Sequence, residues 1–179
     1  MEFTAALFDL CKSEYRPIIA IDGPAGAGKT TLAEHLASAL SLKYKVQIIH
    51  MDDLYNGWVD AFDHHLSHAL IAIANAHTSQ EKISISRYNW HDGAYSPAVE
   101  IPQADLLIFE GVGSSQSAIR ECLTATIWLE IDREQGLKRV IARDGAANSS
   151  EMSQWLLLQE DYFIRENCEN SADFILTTG

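Results

Sequence analysis

The sequence predicts a three-layer α/β fold, a parallel sheet flanked by helices, and two observations carry that prediction. Short β-rich runs at residues 17–21, 46–50, 83–86, 106–109, 125–131 and 174–176 alternate with helical patterns along the chain. Several of these runs are apolar almost throughout, the mark of strands covered on both faces. The helical patterns fall at residues 1–13, 31–42, 60–76, 115–123, 133–143 and 150–168. Strand followed by helix, repeated, argues for parallel strands joined by crossover helices. No repeat, linker or composition break divides the chain, so one domain over residues 1–179 is expected.

Composition narrows the function classes. The chain has 179 residues, 47% hydrophobic and 21% charged, enough for a full core and unlike a disordered or fibrous chain. Thirteen Lys and Arg against twenty-five Asp and Glu leave a net charge of -12, which repels nucleic-acid polymers over most of the surface. A small phosphorylated ligand needs only one local positive site. Cys11, Cys122 and Cys168 are odd in number and form no C-x-x-C pair, which points to a reducing cytoplasm. At the N-terminus, Phe3, Leu7, Phe8 and Leu10 alternate with Glu2 and Asp9, the pattern of an amphipathic helix and not of a signal peptide. No apolar run reaches membrane-span length.

Between the first strand and the following helix lies Asp22-Gly23-Pro24-Ala25-Gly26-Ala27-Gly28-Lys29-Thr30-Thr31. Gly23-x-x-x-x-Gly28-Lys29-Thr30 satisfies the phosphate-binding P-loop pattern in full and in the required strand-to-helix context. A chance match in a chain this long is on the order of one in a hundred before that context is imposed. Small residues let successive N–H groups turn inward toward phosphate oxygens, and the helix N-terminus adds its positive dipole end. Gly23, Ala25, Gly26, Ala27, Gly28, Lys29, Thr30 and Thr31 are therefore the expected ATP-binding residues. Lys29 is expected to reach the terminal phosphates and Thr30 to place its hydroxyl on Mg²⁺.

Two acidic positions follow later strands. Asp52 and Asp53 follow the 46–50 run after Met51, at the strand edge where open α/β sheets bind ligands. A carboxylate there could take a proton from an attacking hydroxyl. Glu110 ends the 106–109 run, ahead of Gly111 and Gly113. An acid in that place binds Mg²⁺ directly or through water. Thr30, Glu110 and Asp52 are the expected metal-side oxygens.

Taken in order, GPAGAGKT, DDLY, IFEGVG and a helix ending Arg139-Val140-Ile141-Ala142-Arg143-Asp144 resemble the uridine kinase and phosphoribulokinase-like branch of the P-loop kinases. The resemblance spans most of residues 17–176. It implies a three-layer P-loop NTPase fold of the nucleoside and nucleotide kinase kind, with Asp52 as catalytic base. It implies further that Tyr55 lies on the substrate side and that Arg139 and Arg143 belong to a short lid near residues 143–150, over the phosphates. Arg87-Tyr88-Asn89-Trp90 is similar to the family's acceptor-binding segment, so Asp53, Tyr55, Arg87, Tyr88, Trp90 and Glu110 are the implied acceptor residues. The sequence departs from the family pattern at Asn89, where an acid is usual, and in a lid without further arginines.

Other conspicuous groups read more plainly. His64, His65 and His68, with Asp60 and Asp63, lack a fourth ligand and an H-E-x-x-H frame, and read as a solvated helix face. Trp155, Leu156, Leu158, Tyr162 and Phe163 have the spacing of core packing. Neither Cys122 nor Cys168 has a basic sequence neighbourhood that would make it a nucleophile.

The expected function is ATP-dependent transfer of the γ-phosphate to a hydroxyl of a small soluble acceptor, nucleoside-like, with uridine or cytidine first. The alternative is a nucleotide-dependent ATPase or regulator with no acceptor. Partners are expected to be a small molecule, neither nucleic-acid polymer nor membrane, with the oligomeric state open.

Overall fold

The computed structural model describes residues 2–145 and 149–178. In chain order the elements are α1 (Glu2–Ser13), β1 (Ile18–Asp22), α2 (Lys29–Leu40), β2 (Val46–His50), α3 (His64–Thr78), β3 (Ser84–Ile85), β4 (Tyr88–Asn89), β5 (Ala94–Tyr95), β6 (Val99–Glu100), β7 (Leu106–Glu110), β8 (Ala125–Glu130), α4 (Arg133–Asp144), α5 (Ser149–Glu166) and β9 (Phe174–Thr177). The main sheet has the order β2-β7-β1-β8-β9, with every neighbouring pair parallel. This is a three-layer α/β P-loop fold, as the sequence predicts.

The period of two in the strands divides the core. Ile18, Leu107 and Phe109 point to one face, where Leu66, Leu70 and Ile73 of α3 and Trp155 of α5 cover them. Ile19, Ile21, Leu106, Ile108 and Ile127 point to the other, against Leu7 of α1 and Ala33, Leu36 and Leu40 of α2. Each such Leu, Ile or Phe side chain contributes about 1.5–3 kcal/mol on burial. Both central strands, β1 and β7, are buried along their whole length, so they are the rigid base from which the site loops leave.

Register decides which loops meet. Ile21 lies beside Glu110, and His50 lies beside Glu110 on the other flank. The ends of β1, β2 and β7 therefore open onto one place, the carboxyl edge of the sheet.

Three sequence expectations need correction. The run at 83–86 is not part of the main sheet: Ser84–Ile85 pairs antiparallel with Val99–Glu100. Ile83 and Ile85 are buried while Ser84 is exposed, so the run alternates as a one-faced strand does. The helix expected at 115–123 is a 3₁₀ segment, Ser117–Cys122, because the preceding Ser115 is bonded to Asp22 through both its N–H and its hydroxyl. The helix expected from residue 60 begins at His64, where the Asp63 carboxylate caps it by accepting from His65 N at 2.8 Å. Of the lid expected near 143–150, residues 146–148 lie outside the described residues.

Candidate active site

The loop between β1 and α2 requires its glycines. Gly26 has φ +82°, and a Cβ there would lie 2.3 Å from the carbonyl oxygen of Gly136 in α4. Gly28 has φ +91° and caps α2 without a side-chain hydrogen bond, leaving the first N–H groups of the helix without a side-chain acceptor. Such an uncapped N-terminus is an anion site. Its one cation is set inside the loop: Lys29 is 9% exposed, and its Nζ donates to Gly23 O at 2.7 Å and Pro24 O at 2.8 Å. Burial lowers the Lys29 pKa, opposed by the carboxylates of Asp22, Glu110 and Asp52. From α5, buried Gln159 braces the loop by accepting from Ala25 N at 3.1 Å.

A cavity of about 760 Å³ opens in front of this loop. Ala25, Gly26, Gly28, Lys29, Thr30, Thr31, Arg139 and Arg143 line its phosphate-loop end. Arg139 Nη1 leans on Gly26 O at 3.4 Å, and the charge of Arg143 acts on both Lys29 and Asp52. Gly23 and Ala27 stand behind the lining: a Cβ on Gly23 would meet Leu129 O at 2.3 Å, and Ala27 is fully buried in the core.

Asp52 and Glu110 form the acidic middle of the cavity. Thr30 Oγ1 lies 3.3 Å from each Glu110 carboxylate oxygen, and His50 Nδ1 lies 2.5 Å from Glu110 Oε1. The bond to Glu110 raises the His50 pKa against its partial burial, so His50 is biased toward its protonated, donating form. Asp52 is exposed to solvent in the open cavity; the protein crowded round it, then the charge of Glu110, raises its pKa, and Lys29, Arg143 and His50 oppose the shift. A carboxylate in such surroundings is a stronger proton acceptor than one in water.

The far wall is aromatic: Tyr55, Trp58, Trp90 and Trp155, with Val112, Val140 and Met152. Tyr55 is 1% exposed, and its hydroxyl donates to Val112 O at 2.7 Å, so it offers ring and not hydroxyl to the cavity. Trp90 Nε1 donates to Asp52 O at 3.0 Å, fixing the β4–β5 hairpin over the acidic middle. Three of the expected acceptor residues are not brought to the cavity. Arg87 Nε pairs with Asp53 Oδ2 at 3.4 Å, and the Tyr88 ring packs outside the lining against Trp90 and Tyr95, at 5.2 and 5.3 Å.

Sequence reasoning missed four groups. Trp58 sits in a loop without a motif, and Trp155 reads as core; it is buried as expected but also faces the cavity. His50 is a strand residue whose role depends on register. Asp22, 1% exposed, accepts from Gly23 N, Gly113 N, Ser115 N and Ser115 Oγ at 2.7–3.1 Å, and so ties the phosphate loop to the turn after β7. An acid ending an apolar strand is the signal that could have found it. Among the described residues no group of three or more His, Cys, Asp or Glu side chains could hold a metal ion by itself, so His64, His65 and His68 form no such site.

A family model described as an AAA domain matches residues 19–156. The chain belongs to that family. Solved structures share the fold of this AAA-domain chain. A protein of Silicibacter sp. TM1040, provisionally named a fructose transport system kinase, aligns with a TM-score of 0.77 at 16% identity, covering 98% of this chain and 97% of its own. A "possible uridine kinase" from Bacillus stearothermophilus aligns with a TM-score of 0.66 at 21% identity, covering 98% and 100%. At such identities the likeness is one of fold. Among curated relatives, 31 residues are 71% identical to a bifunctional pantoate ligase/cytidylate kinase of Gloeobacter violaceus, 17% of this AAA-domain chain and 6% of that protein. A protein of the same description from Synechococcus elongatus is 60% identical over 42 residues, 23% of this chain and 8% of its own. The chain thus spans under a tenth of the curated relatives it matches. No helix among the described residues is long and apolar enough to cross a membrane.

Proposed function

We propose that this protein is an ATP-dependent phosphotransferase that moves the γ-phosphate to a hydroxyl of a small soluble acceptor. One observation carries the reading: an uncapped, glycine-built helix N-terminus with its buried lysine shares a cavity with the Asp52 and Glu110 carboxylates. The loop N–H groups and Lys29 hold the triphosphate. Asp52 takes the proton of the acceptor hydroxyl, and Lys29, Arg139 and Arg143 balance charge on the transferred group.

The oxygen donors fit Mg²⁺, a hard cation that favours carboxylate and hydroxyl ligands: the Thr30 hydroxyl faces both Glu110 oxygens, with Asp52 beside them. Bound there, Mg²⁺ would supply positive charge against the phosphate oxygens. His50 keeps Glu110 oriented from the opposite side.

Uridine or cytidine is the acceptor that the sequence resemblance implies, through the aromatic segment Arg87-Tyr88-Asn89-Trp90. Tyr88 does not line the cavity, so the acceptor is best sought through the residues that do. An ATPase without an acceptor would have no use for the aromatic wall opposite the phosphate loop. The reading is tested by ADP production with Mg²⁺ across a panel of small alcohols that includes uridine and cytidine. Stimulation by one of them supports it, and ADP release indifferent to every alcohol favours the ATPase.

A further inference from the structure

We propose that Tyr95 and Trp90 are positioning residues for Asp52: the β4–β5 hairpin holds the backbone turn that carries the base, and so governs the rate of transfer from outside the phosphate loop. The inference rests on the phosphotransfer reading of the cavity and adds to it a residue, Tyr95, that does not line the cavity.

Asp52 stands on a single 3₁₀ turn, Met51–Asp53. The turn's own bonds converge on one oxygen, since Met51 O accepts from Leu54 N at 2.8 Å and from Tyr55 N at 3.1 Å. So short a 3₁₀ piece holds itself weakly. The carbonyls that follow are held by the hairpin. Trp90 Nε1 donates to Asp52 O at 3.0 Å, and the Tyr95 hydroxyl lies 3.0 Å from Leu54 O and 2.9 Å from Tyr55 O. One hydroxyl proton serves the last two oxygens in turn. The peptide planes after residues 52 and 54 are thus both gripped from one side, which fixes the direction of the turn as well as its place.

Tyr95 is itself firmly seated. It is the register partner of Tyr88, and its ring packs against that of Tyr88 at 5.3 Å and against His65 of α3 at 5.0 Å. Helix α3 is bound to the sheet through Leu66, Leu70 and Ile73, so the hydroxyl is referred to the core and not to the hairpin alone. Trp90 lines the cavity and can meet an acceptor directly, whereas an effect of the Tyr95 hydroxyl has to pass through the turn. The third contact, Arg87 Nε to Asp53 Oδ2 at 3.4 Å, joins side chains that are partly in solvent and adds little to the hold. The hold matters because a base has to stand within about 2.6–3.2 Å of the proton that it takes. A displacement of about 1 Å can cost up to about a hundredfold in rate.

Tyr95→Phe keeps the ring against His65 and Tyr88 and removes only the hydroxyl. ADP production by the whole chain with Mg²⁺ is measured with uridine, cytidine and fructose in turn, for the wild type, Tyr95→Phe, Asp52→Asn and the double variant. Tyr95→Phe is expected to lower kcat about tenfold while the KM values for ATP and for the stimulating alcohol stay within about twofold. In the Asp52→Asn background the same substitution should change kcat by less than about twofold, because no base is left to misplace. Trp90→Phe removes the N–H and keeps an aromatic ring on the wall; it should repeat the loss in kcat and its disappearance beside Asp52→Asn, with a rise in the alcohol KM in addition. A wild-type kcat in Tyr95→Phe, a loss carried by KM instead, or a loss that persists undiminished in the double variant overturns the positioning role and leaves phosphotransfer standing. If no alcohol stimulates the wild type, the phosphotransfer reading falls; the same cycle is then read on acceptor-independent ADP release, with water as the group that Asp52 deprotonates, and the same outcomes decide the positioning role. No ADP release of either kind overturns both.

Discussion

Thr30, in the first turn of α2, and Glu110, the last residue of β7, face each other with the threonine hydroxyl 3.3 Å from both carboxylate oxygens. His50 holds the same carboxylate at 2.5 Å from the next strand. Glu110→Gln keeps the shape but removes the charge that a divalent cation needs. The half-saturating Mg²⁺ concentration for ADP production is expected to rise about tenfold or more, at unchanged far-UV circular dichroism. An unaltered Mg²⁺ requirement would place the metal elsewhere.

Lys29→Ala removes the buried charge of the phosphate loop. ATP affinity should fall, and kcat should drop by a factor on the order of a hundred or more, since the lost interaction is strongest where charge develops. The melting temperature should change little, because the buried ammonium already carries a desolvation cost that lowers its pKa. Calorimetric titration with ATP and a thermal scan check both parts.

Asp52→Asn should leave ATP affinity near that of the wild type and lower kcat by about 10²–10⁴. Asp53→Asn breaks only a half-exposed pair with Arg87, of a kind that contributes about 0–1 kcal/mol, and should change kcat by less than about threefold. Steady-state kinetics of the two variants side by side is the measurement, and a reversed order would move the base to Asp53.

Gly26→Ala and Gly28→Ala separate steric from conformational demand. Both positions have positive φ, but a Cβ at Gly26 meets the Gly136 backbone at 2.3 Å whereas one at Gly28 meets nothing within 4 Å. Gly28→Ala is expected to cost about 1–2 kcal/mol, and Gly26→Ala distinctly more, because α4 must move away from the loop. Urea denaturation ranks them; equal losses would show that the loop–α4 contact yields readily.

His77 is fully buried, and burial, then the neighbouring Arg16 charge, lowers its pKa to about 4. The unfolded chain, with an ordinary histidine near 6.5, binds the proton first. Stability is therefore complete above pH ~6.5 and falls as pH drops toward 4, by up to about 3 kcal/mol, with no further loss from this group below that. His77→Gln should flatten the difference between urea unfolding free energies at pH 7.5 and 4.5. A slope as steep as in the wild type would assign the acid sensitivity to other groups.

What the sequence made legible follows from contiguity. Gly23 to Thr31 is one unbroken stretch whose chemistry is local, Asp52 follows one recognisable strand and Glu110 ends another, so their meeting at one sheet edge follows from fold class alone. The aromatic wall could not be read in this way. Trp58, Trp90 and Trp155 come from a loop, a two-residue strand's hairpin and a helix, and only packing brings them to Tyr55. Tyr88 stands outside the lining for a related reason: β4 ends at Asn89, so Trp90 lies in the turn and reaches the cavity, while the Tyr88 ring packs against Trp90 and Tyr95. His50 became visible only through the register that sets it beside Glu110.

The two halves of the cavity are anchored unequally. The phosphate loop and Glu110 hang from β1 and β7, which are central and buried throughout, while Trp90 belongs to a hairpin of two-residue strands at the periphery. Amides in β1 and β7 are expected to exchange with solvent only on global unfolding, and those of the hairpin far sooner. Sequence change in the hairpin therefore leaves the phosphate half in place. On the proposed phosphotransfer reading, the rigid half of the cavity is the one that holds the triphosphate and the loosely anchored half the one that meets the acceptor, so substitutions at the rim should alter acceptor choice with little effect on ATP affinity.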